Sequence, residues 1–260
     1  MIADINDLIS EVRIKLREFT DIAVIGMSGG ADSTLVALLC REALGADNVY
    51  AVHMPFGTQD FIGFNVQSVK IAEHLGFKSF MAPISTICTE VFNELEKSGL
   101  ISSKKGGGNT KARIRMTTLY SITESLSELY PDKKVRVIGT DNYSENFLGY
   151  FTKYGDGGVD INPIEDLFKS EVYQLLDQFK SDGVILEEHI NRTPSAGLWE
   201  GQTDEGELGF SYDEIEKSII KILNGDSLTT TCDKFVKRMH ENTEHKRQIP
   251  YAINLNRFTA

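Results

Sequence analysis

The chain has 260 residues, 41% of them hydrophobic, which is enough for one large α/β domain or two small ones. Its 38 acidic and 27 basic residues give a formal charge of -11, which argues against a broad electrostatic affinity for nucleic acid or an anionic membrane. Any anionic ligand must be held by a few placed cations, and the three widely spaced cysteines, Cys40, Cys88 and Cys232, form no CxxC pair and are expected as buried thiols in a reducing compartment.

The chain opens with "MIADINDLISEVRIKLREF", an amphipathic helix of mixed charge rather than a signal peptide. No apolar run approaches the ~20 residues of a membrane span, so a soluble, cytoplasmic protein is expected. Residues 22–27 read as a strand that breaks at Ser28-Gly29-Gly30-Ala31-Asp32-Ser33 and passes into a helix over 32–44. Leu35, Val36, Leu38 and Leu39 surround that helix, which suits burial against a sheet, and Gly45 is placed to end it. Further strands are expected at 49–54, 78–82 and 135–139. A helix over 109–130 carries Leu119, Ile122, Leu126 and Leu129 at alternating spacings of three and four, a single buried stripe. Beyond about residue 163 the pattern is helical, over 169–179, 212–223 and 230–247, and the glycine-rich pieces 106–108 and 155–158 read as loops. Strands alternating with helices predict an α/β fold: a doubly wound parallel sheet with helices on both faces, followed by a helical C-terminal extension.

The first turn has the chemistry of a phosphate site. Gly29 and Gly30 let the backbone approach an anion, Ser28 and Ser33 add hydroxyl donors, and the following helix presents the positive end of its dipole. Asp32 is out of place beside polyphosphate unless a divalent cation lies between, which suggests Mg2+; the plainer reading is that Asp32 or Ser33 caps the helix. The turn matches neither GxxxxGK[ST] nor GxGxxG, so transfer of a terminal phosphate and dinucleotide redox chemistry lose support.

"SGGADS" after a strand resembles the SGGxDS loop of the ATP pyrophosphatases, which cleave ATP between its α and β phosphates. Four further segments narrow the resemblance: "NTKARIRMTTLY" from Asn109, "GTDNYSENFLGYFTKYGDGGVDINPIEDLFKSEV" from Gly139, "RTPSAGLWEGQTDEGELGFSY" from Arg192 and "TEHKRQIP" from Thr243. Together they resemble the NAD synthetase family, in order, over most of the chain. The resemblance implies an adenine nucleotide α-hydrolase-like fold forming one synthetase domain over 1–260. Its α/β core would span about 20–165 and its helical part about 166–260. It implies a ligase that uses ATP to adenylate the nicotinate carboxylate of deamido-NAD. Ammonia then displaces AMP to give NAD, the last step of NAD biosynthesis. A carboxylate oxygen cannot leave by itself, whereas an AMP ester leaves readily, and bringing two anions together requires metal and fixed cations.

Residue by residue, the resemblance places ATP at Gly26, Met27, Ser28, Gly29, Gly30, Ala31, Asp32, Ser33, Thr140, Lys169 and Ser195. It makes Asp32 and Glu145 the Mg2+ ligands and Asp32, Glu145 and Lys169 the catalytic set. Deamido-NAD would meet Arg113, Lys153, Asp160, His245 and Lys246. Taken singly, Glu145 and Lys169 also read as solvated charges, Thr140 as a helix cap, Ser195 as a turn residue and "TEHKRQ" as a charged helix end. The polar stretch 195–209, with the only tryptophan, is expected to close over bound nucleotides as a lid.

The resemblance also implies a homodimer, and free ammonia rather than glutamine as nitrogen source, since no glutaminase segment is present. It is weakest at 58–66, where the family often has an acidic cluster and this chain has only Asp60 before Glu73. Rival readings are a GMP synthetase-like amidase, a tRNA-thiolating enzyme and a nucleotide-binding relic without catalysis. Thiolation needs paired reactive cysteines and a basic RNA surface, and the chain has neither.

Overall fold

The computed structural model describes residues 5–57, 64–101, 103–190 and 203–253. Its centre is a four-stranded, wholly parallel sheet in the order β3-β2-β1-β4, with β1 at Ile22–Gly26, β2 at Val49–His53, β3 at Lys78–Met81 and β4 at Val135–Ile138. In register, Ala23 pairs with Val49 and Ile22 with Val135. Strands buried on both faces need apolar residues at every position, which explains the unbroken runs "IAVI" and "VYAV".

Alternate residues of β1 enter two different cores. Ala23 and Ile25 pack with α2 (Ala31–Leu44), α3 (Phe64–Leu75) and α7 (Lys169–Ser181), while Ile22 and Val24 pack with α4 (Ser85–Lys97) and α5 (Lys104–Leu129). Leu16 of α1 (Ile5–Phe19) joins the first core. The sheet is therefore doubly wound, as the alternation of strands and helices predicts.

A third core gathers α6 (Tyr143–Leu148), α8 (Asp204–Leu208), α9 (Tyr212–Asn224) and α10 (Thr231–Asn242), and a short α11 (Glu244–Arg247) follows. This core takes α6 from before residue 165, while α7, beyond it, packs on the sheet. Among the described residues no helix is long and apolar enough to cross a membrane.

Two expectations are corrected. Residues 106–108 form the start of α5 rather than a loop: Ser103 caps the helix by accepting from the Gly106 amide at 3.0 Å, and Gly108 is buried. Tertiary packing and a cap outweigh the ~1 kcal/mol each glycine costs a helix. The single helix expected over 230–247 is two, because the Thr243 hydroxyl turns back to bond Met239 O at 2.6 Å and Leu148 O at 3.1 Å.

Candidate functional site

In the order β3-β2-β1-β4 the chain steps from β1 to β2 on one side and later crosses from β3 to β4 on the other side of β1, so a crevice opens at the carboxyl ends of β1 and β4. The turns after both strands meet there. A Cβ on Gly26 would stand 3.2 Å from Met54 Cε, a tight contact, and Gly29 takes φ +75, a left-handed conformation suited to glycine. Gly30 is the N-cap of α2 and supplies no side-chain acceptor to the first amides of the helix. Ser28 and Ser33 hydroxyls lie 3.0 Å apart, and Ser33 and Thr34 both bond Gly30 O.

Asp32 does not cap α2. Its carboxylate reaches across the crevice, accepting from Asn142 Nδ2 at 2.9 Å and from Lys169 Nζ at 2.5 Å. Asn142 in turn caps α6, its Oδ1 accepting the Glu145 amide at 3.0 Å, so the cap that Thr140 could have supplied comes from Asn142. Lys169, at the start of α7, extends its 4% exposed side chain between the carboxylates and lies 3.0 Å from Glu145 Oε1. Burial opposes the charge on Lys169, but Asp32 and Glu145 outweigh it and hold the ammonium pKa well above its usual value. Burial pushes Glu145 up to about 7 against the pull of Lys169, with Asp32 and Asp204 adding to the rise. Asp141, buried next to the same groups, is pushed well above the usual carboxylate range by burial and then by Asp156, Glu145 and Asp32.

Tyr212 completes the cluster. Its hydroxyl lies 3.0 Å from both Glu145 Oε1 and Asp204 Oδ2. A phenol has one proton to donate, so the two carboxylates share it unless one is itself protonated.

Asp32, Asp141, Glu145, Lys169 and Asp204 line a cavity of about 730 Å³ together with Gly26, Met27, Ser28, Gly30, Ala31, Ser33, Thr140, His245 and Lys246, while Asn142 and Tyr212 stand outside the lining. The family model for NAD synthase matches residues 1–250. The chain belongs to the NAD synthase family. The NH(3)-dependent NAD(+) synthetase of Methanococcoides burtonii is 45% identical over 243 residues, 90% of this chain and 88% of that protein. The protein of the same description from Archaeoglobus fulgidus is 41% identical over 231 residues, 87% of this chain and 86% of that one. The solved NMN synthetase from Francisella tularensis has a TM-score of 0.79 at 30% identity, covering 98% of this chain and all of that one.

In this member of the family the residues singled out in sequence divide into two groups. The strand-end residues, Glu145, Lys169, His245 and Lys246 converge on the cavity; Gly29 sits in the same turn without lining it. Arg113, Lys153 and Asp160 stand outside the lining. Arg113 Nε donates to Lys153 O at 3.3 Å, Lys153 Nζ donates to His245 O, and Asp160 accepts from Tyr120 OH at 3.1 Å and the Val137 amide at 2.8 Å. Lys246 Nζ donates to Gly149 O and Phe151 O, each at 2.7 Å, and so holds the turn after α6. Ser195 and residues 195–202 of the expected lid lie outside the described residues. From Thr203 onward that stretch forms α8, whose Asp204 and Glu207 line the cavity.

Sequence reasoning missed Asn142, Asp141, Asp204 and Tyr212. Asn142 was findable as an N-cap three residues before Glu145. For Tyr212 the only signal was the capping box from Ser211 to Glu214, which marks where α9 starts but not what its first turn touches.

The donor set fits a hard divalent cation. Among the described residues no group of three His, Cys, Asp or Glu forms a ready cage, but Asp32 and Glu145 offer two carboxylates against a single ammonium in the open crevice. Mg2+ typically takes one or two protein carboxylates and fills its remaining positions with phosphate oxygens and water.

Proposed function

We propose that this chain makes NAD by ATP-dependent amidation of deamido-NAD with ammonia, through an adenylated nicotinate carboxylate, releasing AMP and pyrophosphate. The observation that carries this reading is the Asp32–Lys169–Glu145 arrangement where the turns after β1 and β4 meet. In it, residues 26–33 hold the ATP phosphates on the turn and the first amides of α2. Lys169 supplies fixed positive charge where pyrophosphate leaves, which preorganised groups in a closed site do at little cost at the moment of reaction. Asp32 and Glu145 would hold Mg2+, which when bound neutralises charge on the polyphosphate. Thr140 and Ser195 belong to the ATP side.

The dinucleotide acid extends toward His245 and Lys246, with Arg113, Lys153 and Asp160 supporting the loops beside it. Asp160 is already engaged by Val137 and Tyr120, so its part is to hold the 155–160 turn against β4. A homodimer in the cytoplasm is part of the same reading; exposed Phe80, Met81 and Ile87 around the edge strand β3 suit a partner face. The assembly is checked by sedimentation of the purified chain.

The deciding experiment is a steady-state assay with deamido-NAD, MgATP and ammonium, following NAD, AMP and pyrophosphate. Equal amounts of the three products, abolished in Asp32→Ala, are expected; ATP binding without NAD formation would overturn the reading. The likeness to an NMN synthetase favours one second reading, amidation of the mononucleotide acid. Running that compound in parallel separates the two by the ratio of kcat/KM. Glutamine in place of ammonium should support no turnover by the single chain.

A further inference from the structure

One face of α9 reaches both halves of the Lys169 contact. Tyr212 and Glu216 stand one helical turn apart, and Tyr212 holds Glu145 directly. Glu216, 7% exposed and not part of the cavity lining, holds the backbone behind it. Its Oε1 accepts from Ser144 Oγ at 2.8 Å and from the Ser170 amide at 3.1 Å, and its Oε2 accepts from Ser170 Oγ at 2.5 Å. Ser144 Oγ accepts the Lys169 amide at 3.0 Å. The first two amides of α7 therefore both end on Glu216, one directly and one through Ser144.

These amides are among the donors a helix leaves unpaired at its start, and a carboxylate there also meets the positive end of the helix dipole. The same carboxylate grips Ser144, the residue before Glu145 in the first turn of α6. Glu216 thus ties together the backbone origins of Lys169 and Glu145, which lie on different helices and in different cores. Burying a carboxylate is costly, and an apolar residue would suffice if α9 only needed to pack against its neighbours. The place of the charge is explained by what it aligns.

We propose that Glu216 is a positioning residue for the amidation: through Ser144 and Ser170 it sets the Lys169 ammonium between Asp32 and Glu145. This rests on the role given above to Lys169. Displacing a reacting group by about 1 Å can cost on the order of 100-fold in rate, and removal of this clamp acts in that way.

The test is a double-mutant cycle on kcat with deamido-NAD, MgATP and ammonium, using Glu216→Ala, Lys169→Ala and the double variant, each normalised to folded protein by thermal melting. Glu216→Ala should lower kcat by about 30- to 100-fold while the KM values for deamido-NAD, ATP and ammonium stay within about threefold, since the loss falls on alignment in the transition state. In the Lys169→Ala background the same change should alter kcat by less than about twofold, because neighbours acting through one group are not additive. Glu216→Gln, whose amide oxygen can keep both Oε1 bonds, should restore kcat to within about fivefold of the parent. Equal losses in both backgrounds, or an unchanged kcat in Glu216→Ala, would overturn the proposal. If Glu216→Ala does not fold, Ser144→Ala carries the same cycle by deleting one hydroxyl of the relay. A Lys169→Ala variant at the parent rate would instead sink the role of Lys169 itself, while a slow Lys169→Ala beside an indifferent Glu216→Ala sinks only the positioning role.

Discussion

Gly149 and Thr243 are in contact that leaves no room for a side chain: a Cβ on Gly149 would lie 2.2 Å from Thr243 Oγ1, and Gly149 takes φ +65 at the end of α6. Thr243 opens α11, which carries His245 and Lys246 into the cavity wall. Gly149→Ala combines a left-handed strain of about 1 kcal/mol with a steric clash. It should lower the melting temperature by several degrees and raise KM for deamido-NAD more than KM for ATP. Parental values of both would disprove the contact's importance.

Lys169→Ala leaves Asp32 and Glu145 facing each other without the ammonium. Removing one partner of a buried ion pair typically costs about 3–5 kcal/mol, because the remaining charge stays buried. If Mg2+ binds these carboxylates, it replaces the lost cation, so Mg2+ should raise the melting temperature of Lys169→Ala more than that of the parent. Equal shifts in the two proteins would remove Asp32 and Glu145 as metal ligands.

His53, 1% exposed at the end of β2, lies 2.8 Å from Ser68 Oγ, and burial lowers its pKa to about 4. A depressed imidazole pKa means that the unfolded chain binds the extra proton, so protonation favours unfolding. His53 therefore contributes nothing against stability above its ordinary value near 6.5, and an increasing penalty as pH falls from there toward 4. The full loss is about 3 kcal/mol. Denaturant melts at pH 7 and pH 4.5 should show a smaller drop in His53→Asn than in the parent; equal drops would assign the acid sensitivity elsewhere.

Cys40, Cys88 and Cys232 are all buried and free, and burial pushes the Cys40 thiol up to about 12. Thiolates are the reactive form, so a charged aromatic disulfide reagent should label none of them in the native protein and all three after unfolding. Rapid native labelling would show that one of the cores opens readily.

The sheet was legible because each strand is short, apolar and set off by turn residues, and because Gly45 ends α2 with φ +80. The turn between β1 and α2 was legible in its glycines and serines. The destination of Asp32 was not: its partners Asn142 and Lys169 are 110 and 137 residues away, and no local pattern states which helix end will meet which strand end. The same reason hid Glu216, whose neighbours in sequence mark only an amphipathic helix. The start of α5 was misread because local propensity disfavours three successive glycines, while the cap at Ser103 and the burial of Gly108 decide the matter.

The third core has a consequence for synthesis on the ribosome. Its first helix, α6, is made between β4 and α7, but its partners α9 and α10 come more than sixty residues later, and Arg247 closes on Asn146 O and Phe147 O last of all. A nascent chain can assemble the sheet while α6 still lacks its packing partners, so Glu145 is held against Tyr212 only once α9 has been made. Synthesis thus leaves the Asp32–Lys169–Glu145 arrangement without its full support until the residues through Arg247 are free to fold.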